Sequence, residues 1–209
     1  MFVPKLYRNE NRTEILAFIH KNNFGILVSR KENARIIATH IPFMSKEKDG
    51  ILHLTAHISK ANEQWHSIEN GQEVLVIFQG SHTYISSSWY DHVNVPTWDY
   101  IAVHIYGKAR ILSHEETIAH LDELVHHHES LEEKPVSLDT MGADYVAKEM
   151  KGLVAFEIDV NEIFSAFKLS QNRDQKNLDH IILELEKRND ENSLAIAEAL
   201  KKVKPQNHG

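Results

Sequence analysis

The sequence predicts an α+β protein that is mainly β, an antiparallel barrel or sandwich with flanking helices. Three observations carry this. Short runs rich in β-branched and aromatic residues crowd residues 1–112, turn chemistry separates them, and no helix follows each one. A doubly wound parallel sheet needs a helix after every strand and fits poorly. The candidate strands are residues 24–30 (FGILVSR), 34–40 (ARIIATH), 51–57 (ILHLTAH), 74–79 (VLVIFQ), 83–86 (TYIS) and 100–112. Lys31 to Asn33, Lys48-Asp49-Gly50, Asn70-Gly71 and Gly80-Ser81 supply the turns.

Two helices interrupt this zone. Asn11 and Glu14 form a capping pair, with Ile15, Phe18 and Ile19 as the apolar stripe behind it. Ser59 opens a second helix running to about Glu69, with Gly71 just past its end. Residues 113–160 read as helix, helix, strand. Ser113 and Glu116 make a capping box, and Ile118, Leu121, Leu124 and Val125 recur at helical spacing. Residues 152–158 form a strand with Val154, Phe156 and Ile158 on one face. The tail is amphipathic, with Ile181, Ile182 and Leu185 before a break at 188–192 and Leu194, Ile196, Ala197 and Leu200 after it. The expected division is a domain at 1–167, with a helical insertion near 113–151, and a segment at 168–209.

Composition narrows the function classes. Of 209 residues 42% are hydrophobic and 25% charged, so there is apolar surface enough for a core and a disordered chain is not expected. The balance of 23 Lys+Arg against 30 Asp+Glu, a formal charge of -7, argues against a generally basic nucleic-acid surface. The absence of cysteine rules out disulfides, thiolate metal sites and cysteine nucleophiles. No signal pattern opens the chain and no apolar run reaches membrane-spanning length, so a cytoplasmic protein without a membrane partner is expected.

The 51–57 strand is the most informative. Alternation puts His53, Thr55 and His57 on one polar face and Leu52, Leu54 and Ala56 on the other. It leads into Ser59, Lys60 and Asn62, where a helix N-terminus with a hydroxyl and an ammonium suits a phosphate. A plain N-cap with a solvated lysine explains the same residues. The 34–40 strand ends in Thr39, His40, Ile41 and Pro42, which either meet a ligand beside the next strand or form a polar edge. Trp89 and Trp98, with Tyr84, Tyr90 and Tyr100, suit stacking on a flat ligand and equally suit a core or a dimer interface. His126, His127 and His128 point three ways from one helix, His128 toward the core, so no metal site is expected there. Neither GxGxxG nor GxxxxGK[ST] occurs, no Ser/His/Asp ordering carries nucleophile chemistry, and Lys201 to Lys204 reads as the solvated end of the last helix.

The strings ATHIPF (38–43), HISKAN (57–62), VLVIFQG (74–80), YISSSWY (84–90), VPTWDYIAVHIYG (95–107) and KLSQNR (168–173) resemble the PaiB family of FMN-binding negative transcriptional regulators. The resemblance runs through nearly the whole chain, in order. It implies an FMN-binding split β-barrel, similar to pyridoxamine-phosphate-oxidase-like flavoproteins, working as a homodimer with FMN at the subunit interface. On this resemblance Ser59 and Lys60 are phosphate contacts in the place of a Ser plus Arg/Lys turn, with His57 and Asn62 beside them. Thr39, His40 and Ile41 lie along the flavin. Trp98, Lys168, Gln171 and Arg173 act as contacts from the partner subunit or as a structural latch. No residue is assigned a catalytic role.

The chain departs from the family pattern in four places. The strand arginine is early, at Arg35; Lys60 stands where the family has arginine; and Ser87 and Asp99 replace the usual residues of SPSWY and TWNY. Lysine keeps the charge but loses the bidentate fork, so weaker FMN binding is expected. A carboxylate at Asp99 facing the flavin would weaken it further.

The resemblance implies a regulator of secreted protease and sporulation genes. No helix-turn-helix with a basic recognition helix is visible and the charge does not favour DNA, so an indirect effect on transcription is expected. The alternative is an enzyme, a flavin-dependent oxidoreductase or a haem-degrading or haem-binding split-barrel protein, resting on His40, His53 and His57.

Overall fold

The computed structural model describes residues 1–203. The chain order is α1 (Arg12–Lys21), β1 (Phe24–Arg30), β2 (Ile36–Pro42), β3 (Met44–Lys48), β4 (Ile51–Ser59), α2 (Trp65–Glu69), β5 (Glu73–Ile85), β6 (Thr97–Ile111), α3 (His114–Glu129), α4 (Leu138–Met141), α5 (Ala143–Met150), β7 (Leu153–Lys168), α6 (Gln175–Arg188) and α7 (Glu191–Leu200). The seven strands form one sheet in the order β2-β1-β5-β6-β7-β4-β3. The pairings β1 with β2, β1 with β5, β3 with β4 and β4 with β7 are antiparallel. Strand β2 comes alongside β4 without laddering to it, which is the split of a split barrel.

The chain resolves into two compact units. One comprises Met1–Phe18, Gln79–His104 and Phe164 onward; the other comprises Ile19–Phe78 and Ile105–Ile163. In the second unit the alternating residues Leu52, Leu54, Ala56 and Ile58 of β4 face inward beside Leu27, Val76, Phe78, Ile105, Phe156 and Ile158. Phe43 meets Phe78 edge-on, with ring centroids 5.6 Å apart. In the first unit Leu178, Ile181 and Leu185 of α6 and Ile196, Ala197 and Leu200 of α7 pack with Ile85, Tyr90 and Leu169. Asn189, in the left-handed conformation at φ 55°, ends α6, and Asp190 caps α7 through the Ser193 N–H at 2.9 Å.

Several expectations are confirmed in detail. Ser113 and Glu116 form a reciprocal capping box on α3, and Asn11 Oδ1 accepts from the Glu14 N–H at 3.3 Å at the start of α1. Others need correction. Gly80-Ser81 is no turn: β5 runs through it, and a Cβ on Gly80 would stand 2.6 Å from the Phe18 ring, so close packing requires the glycine. Strand β3 escaped the sequence reading because Ser45 to Lys48 carries no alternating apolar pattern. The buried face of α3 is Thr117, His120 and Leu124, leaving Ile118 and His128 exposed. That face is rotated because it meets polar groups of β4. Lys201 is exposed but ion-paired, to Glu186 at 2.9 Å and Glu198 at 2.5 Å, whereas Lys204 lies outside the described residues.

At Gly107 a Cβ would stand 2.3 Å from the Asp159 carbonyl oxygen, because β6 and β7 approach too closely there for any side chain. Gly107→Ala is expected to cost about 1–3 kcal/mol of stability, the usual penalty for overpacking, read as a lower urea midpoint at unchanged slope.

Candidate functional site

The turn between β4 and α2 differs from its sequence expectation. Helix α2 starts at Trp65, not Ser59, and Gln64 at its N-cap makes no side-chain cap bond. Three backbone N–H groups of the turn are already used. Lys60 N–H donates to the Gly152 carbonyl at 2.8 Å, Ala61 N–H to Ser59 Oγ at 3.3 Å, and Asn62 N–H to the Ser59 carbonyl at 2.9 Å. With these amides occupied and a helix of one turn, side chains supply most of what could hold an anion here.

Those side chains converge through an amide network. Gln64 is buried and its Nε2 donates to the Leu27 carbonyl and to Ser29 Oγ, both at 3.1 Å. Thr39 Oγ1 donates to Gln64 Oε1 at 2.6 Å and accepts from Asn62 Nδ2 at 2.9 Å. Ser67 Oγ donates to the Gln64 carbonyl at 2.6 Å. The turn is thereby pinned to β1 and β2. Beside it lies an open cleft of about 600 Å³, whose lining includes Lys31, Arg35, Thr39, Asn62, Glu63 and Gln64. Lys31 is ion-paired with Glu63 at 2.6 Å, while Arg35 and the exposed Lys60 hold no ion pair among the described residues.

Alternation along β2 turns Thr39 and Ile41 to one face and His40 to the other. Ile41 is buried, and His40 is exposed and stacks on Phe24 with centroids 6.3 Å apart. His57 points from β4 to α3, where its Nδ1 lies 3.1 Å from His120 Nε2, and His120 Nδ1 lies 3.0 Å from Thr55 Oγ1. Burial lowers the pKa of both histidines, that of His120 to about 4, with His57 adding to the effect.

Trp98, Lys168, Gln171 and Arg173 belong to the other unit. Lys168 Nζ donates to Thr97 Oγ1 and to the Trp98 carbonyl. Gln171 folds back, its Nε2 donating to the Phe167 carbonyl at 2.5 Å and its Oε1 accepting from the Leu169 N–H at 2.7 Å. The Arg173 guanidinium lies 4.8 Å from the Tyr90 ring centroid. Asp99 is fully enclosed and accepts from Ser170 Oγ at 2.7 Å through Oδ2. Its Oδ1, Tyr90 Oη and Arg173 Nε are buried without partners among the described residues. These contacts of Lys168, Gln171 and Arg173 all lie within their own unit. Trp98 is half exposed, with its ring near Tyr84 (5.9 Å) and His82 (6.1 Å). Gln64 and His120 were missed by sequence reasoning, since neither lies in a pattern that marks it before burial is known.

Fold and cleft together define a split-barrel protein with a candidate ligand cleft. A family model described as "Putative FMN-binding domain" matches residues 1–162. The chain is similar to the Protease synthase and sporulation protein PAI 2 of Bacillus subtilis, with 40% identity over 99% of this chain and 100% of that protein. It is also similar to an Emericella nidulans protein, AN0679, at 28% identity over 87% of this chain and 89% of that one. Among solved structures, the flavocytochrome Anf3 of Azotobacter vinelandii superposes with TM-score 0.58 at 18% identity, covering 82% of this chain and 74% of that one. The FAD and heme binding protein of Mycobacterium smegmatis gives TM-score 0.56 at 14% identity, covering 78% and 73%. The chain belongs to the PaiB family of FMN-binding proteins, and its cofactor is FMN. The residues present fit that group: a volume within the range of ligand pockets, cations for a phosphate, and hydroxyl and amide groups for a ribityl chain.

Two buried groups make stability depend on pH in opposite directions. Burial pushes Asp99 up to about 6, so the folded state holds its proton more tightly than the unfolded state. The stability it contributes is full below the unfolded value near 4 and is lost as pH rises through about 6. His120 is the reverse: its contribution is full above the unfolded value near 6.5 and is lost as pH falls through about 4. Asp99→Asn should raise stability at pH 7.5 by up to about 3 kcal/mol while leaving pH 4 nearly unchanged. His120→Gln should flatten the loss between pH 6.5 and 4. Urea unfolding across this range reads both; an unchanged profile in either variant contradicts the corresponding assignment.

Proposed function

We propose that this protein is an FMN-binding regulatory homodimer that negatively controls extracellular protease and sporulation genes without itself reading DNA. One observation carries the flavin part. The Thr39–Asn62–Gln64 network holds the β4–α2 turn beside a cleft lined by Arg35, with Lys60 on the adjoining turn, neither ion-paired among the described residues. In this reading Lys60 and Arg35 neutralise the FMN phosphate, while Ser59, Thr39 and Asn62 bond its oxygens and the ribityl hydroxyls. The β2 backbone at Thr39 to Ile41 runs along the ring, and His57 closes the β4 side. When bound, FMN supplies a flat, redox-active ring.

Support for the regulatory part is the name of the Bacillus subtilis relative and its 40% identity across the full length of that protein. Support for action without DNA contact is the net charge of -7. A dimer is supported by exposed apolar residues that a second copy would cover, Val93, Val95 and Trp98. No helix is long and apolar enough to cross a membrane among the described residues, which accords with a cytoplasmic role.

Titration of FMN, followed by flavin fluorescence, tests the site. Lys60→Ala should weaken FMN about tenfold, equivalent to about 1.4 kcal/mol, and riboflavin should bind the parent protein more weakly than FMN. Equal FMN affinity of parent and variant, with riboflavin competing as well as FMN, would refute the phosphate assignment. A solution mass of twice 24.1 kDa is expected, and promoter DNA should not be retained at moderate salt.

A further inference from the structure

We propose a divalent transition-metal site on the outer face of β4 and β7, formed by His53, Glu157 and Asp159. The placement follows from strand register. His53 is directly opposite Asp159 and Thr55 opposite Glu157 in the antiparallel ladder. Directly opposed residues hold their Cβ atoms about 5 Å apart, and Glu157 and Asp159, two apart, share a face. The result is a triangle of ligand atoms, one imidazole nitrogen and two carboxylate oxygens, all within 4.8 Å of one another. Two ligands about 2.1 Å from one ion stand at most about 4.2 Å apart, so a small rotamer adjustment completes the site. Asp159, whose side chain is 56% exposed, has the freedom to make it. His53 Nδ1 already sits 2.8 Å from Asp159 Oδ1 and 4.0 Å from Glu157 Oε1.

The surroundings support an ion rather than an ion pair alone. Arg110 donates to Glu157 through Nε at 3.1 Å and Nη2 at 2.6 Å, both bonds ending on Oε1, the oxygen nearest His53, so the carboxylate is held at the site with Oε2 unbonded to Arg110. Glu116 in turn grips Arg110 through two bonds at 3.0 and 2.8 Å. An outer ring that fixes a ligating carboxylate is the arrangement metal sites use to orient their ligands. Three carboxylates (Glu116, Glu157 and Asp159) outnumber the neighbouring cations, the Arg110 guanidinium and the Lys46 side chain opposite His53 on β3, so a net negative charge remains for a dication to neutralise. One nitrogen and two oxygen donors favour Zn²⁺ or Co²⁺ over Mg²⁺ or Ca²⁺, which take oxygen ligands. Open coordination positions would carry water.

The test uses the full chain after dialysis against EDTA, titrated with Zn²⁺ by calorimetry and with Co²⁺ by visible absorbance. The expected result is a saturable site of unit stoichiometry and a rise in melting temperature with added Zn²⁺. His53→Ala and Asp159→Asn should each weaken it at least about tenfold while preserving the metal-free far-UV circular dichroism. A variant with His126, His127 and His128 all changed to Ala should retain the site, separating it from that histidine run. Absence of saturable binding by the parent, or equal binding by His53→Ala, would reduce the cluster to a surface ion-pair network and overturn the proposal.

Discussion

The buried carboxamide of Gln64 is the interaction on which the cleft depends. Strands β2 and β4 are adjacent without a ladder, so no repeating backbone bonds hold them in register. Instead, one side chain ties the turn that follows β4 to β1 and β2. It donates to β1 through the Leu27 carbonyl and Ser29, and accepts from β2 through Thr39, while its own backbone is held by Asn62 at 3.0 Å. A buried amide is costly unless its bonds are made, and here both donors and one acceptor position of the carbonyl are used. Losing the amide would strand partners on two strands, so the network is held together rather than merely decorated.

The same turn shows how backbone geometry selects the recognition chemistry. A longer helix starting at Ser59 would have presented free N–H groups to an anion. Instead the N–H groups of Lys60, Ala61 and Asn62 close on Gly152 and Ser59, which takes these three donors from an anion. In the proposed site, charge recognition would then fall to long side chains, which do not preorganise an anion as amides would.

Each unit also encloses a titratable group at the expense of its charged form. Asp99 is held under the segment 168–173, bonded through one oxygen only, and His120 is turned onto the polar face of β4. Between pH 4 and 6 the two respond to pH in opposite directions, so their contributions to stability oppose one another there. The Asp99 carboxylate faces Ser170 in the first unit, an inward orientation that was not legible from its position after Trp98.

Local pattern decided much of this protein. Apolar alternation and turn residues located β1, β4 and the inward face of Leu52, Leu54 and Ala56; the capping box located the start of α3; and the tail periodicity located α6 and α7. Family-specific strings named the fold and the cofactor. Tertiary structure alone decided the rest, because burial depends on what arrives from elsewhere in the chain. Gln64 becomes a hub only when Leu27 and Thr39 reach it across 37 and 25 positions. His120 turns inward only because Thr55 and His57 lie under α3, 65 and 63 positions earlier. Glycine at 80 reads as a turn in sequence and proves to be room for the Phe18 ring. Periodicity reports which way a side chain points; only the assembled chain supplies what it meets there.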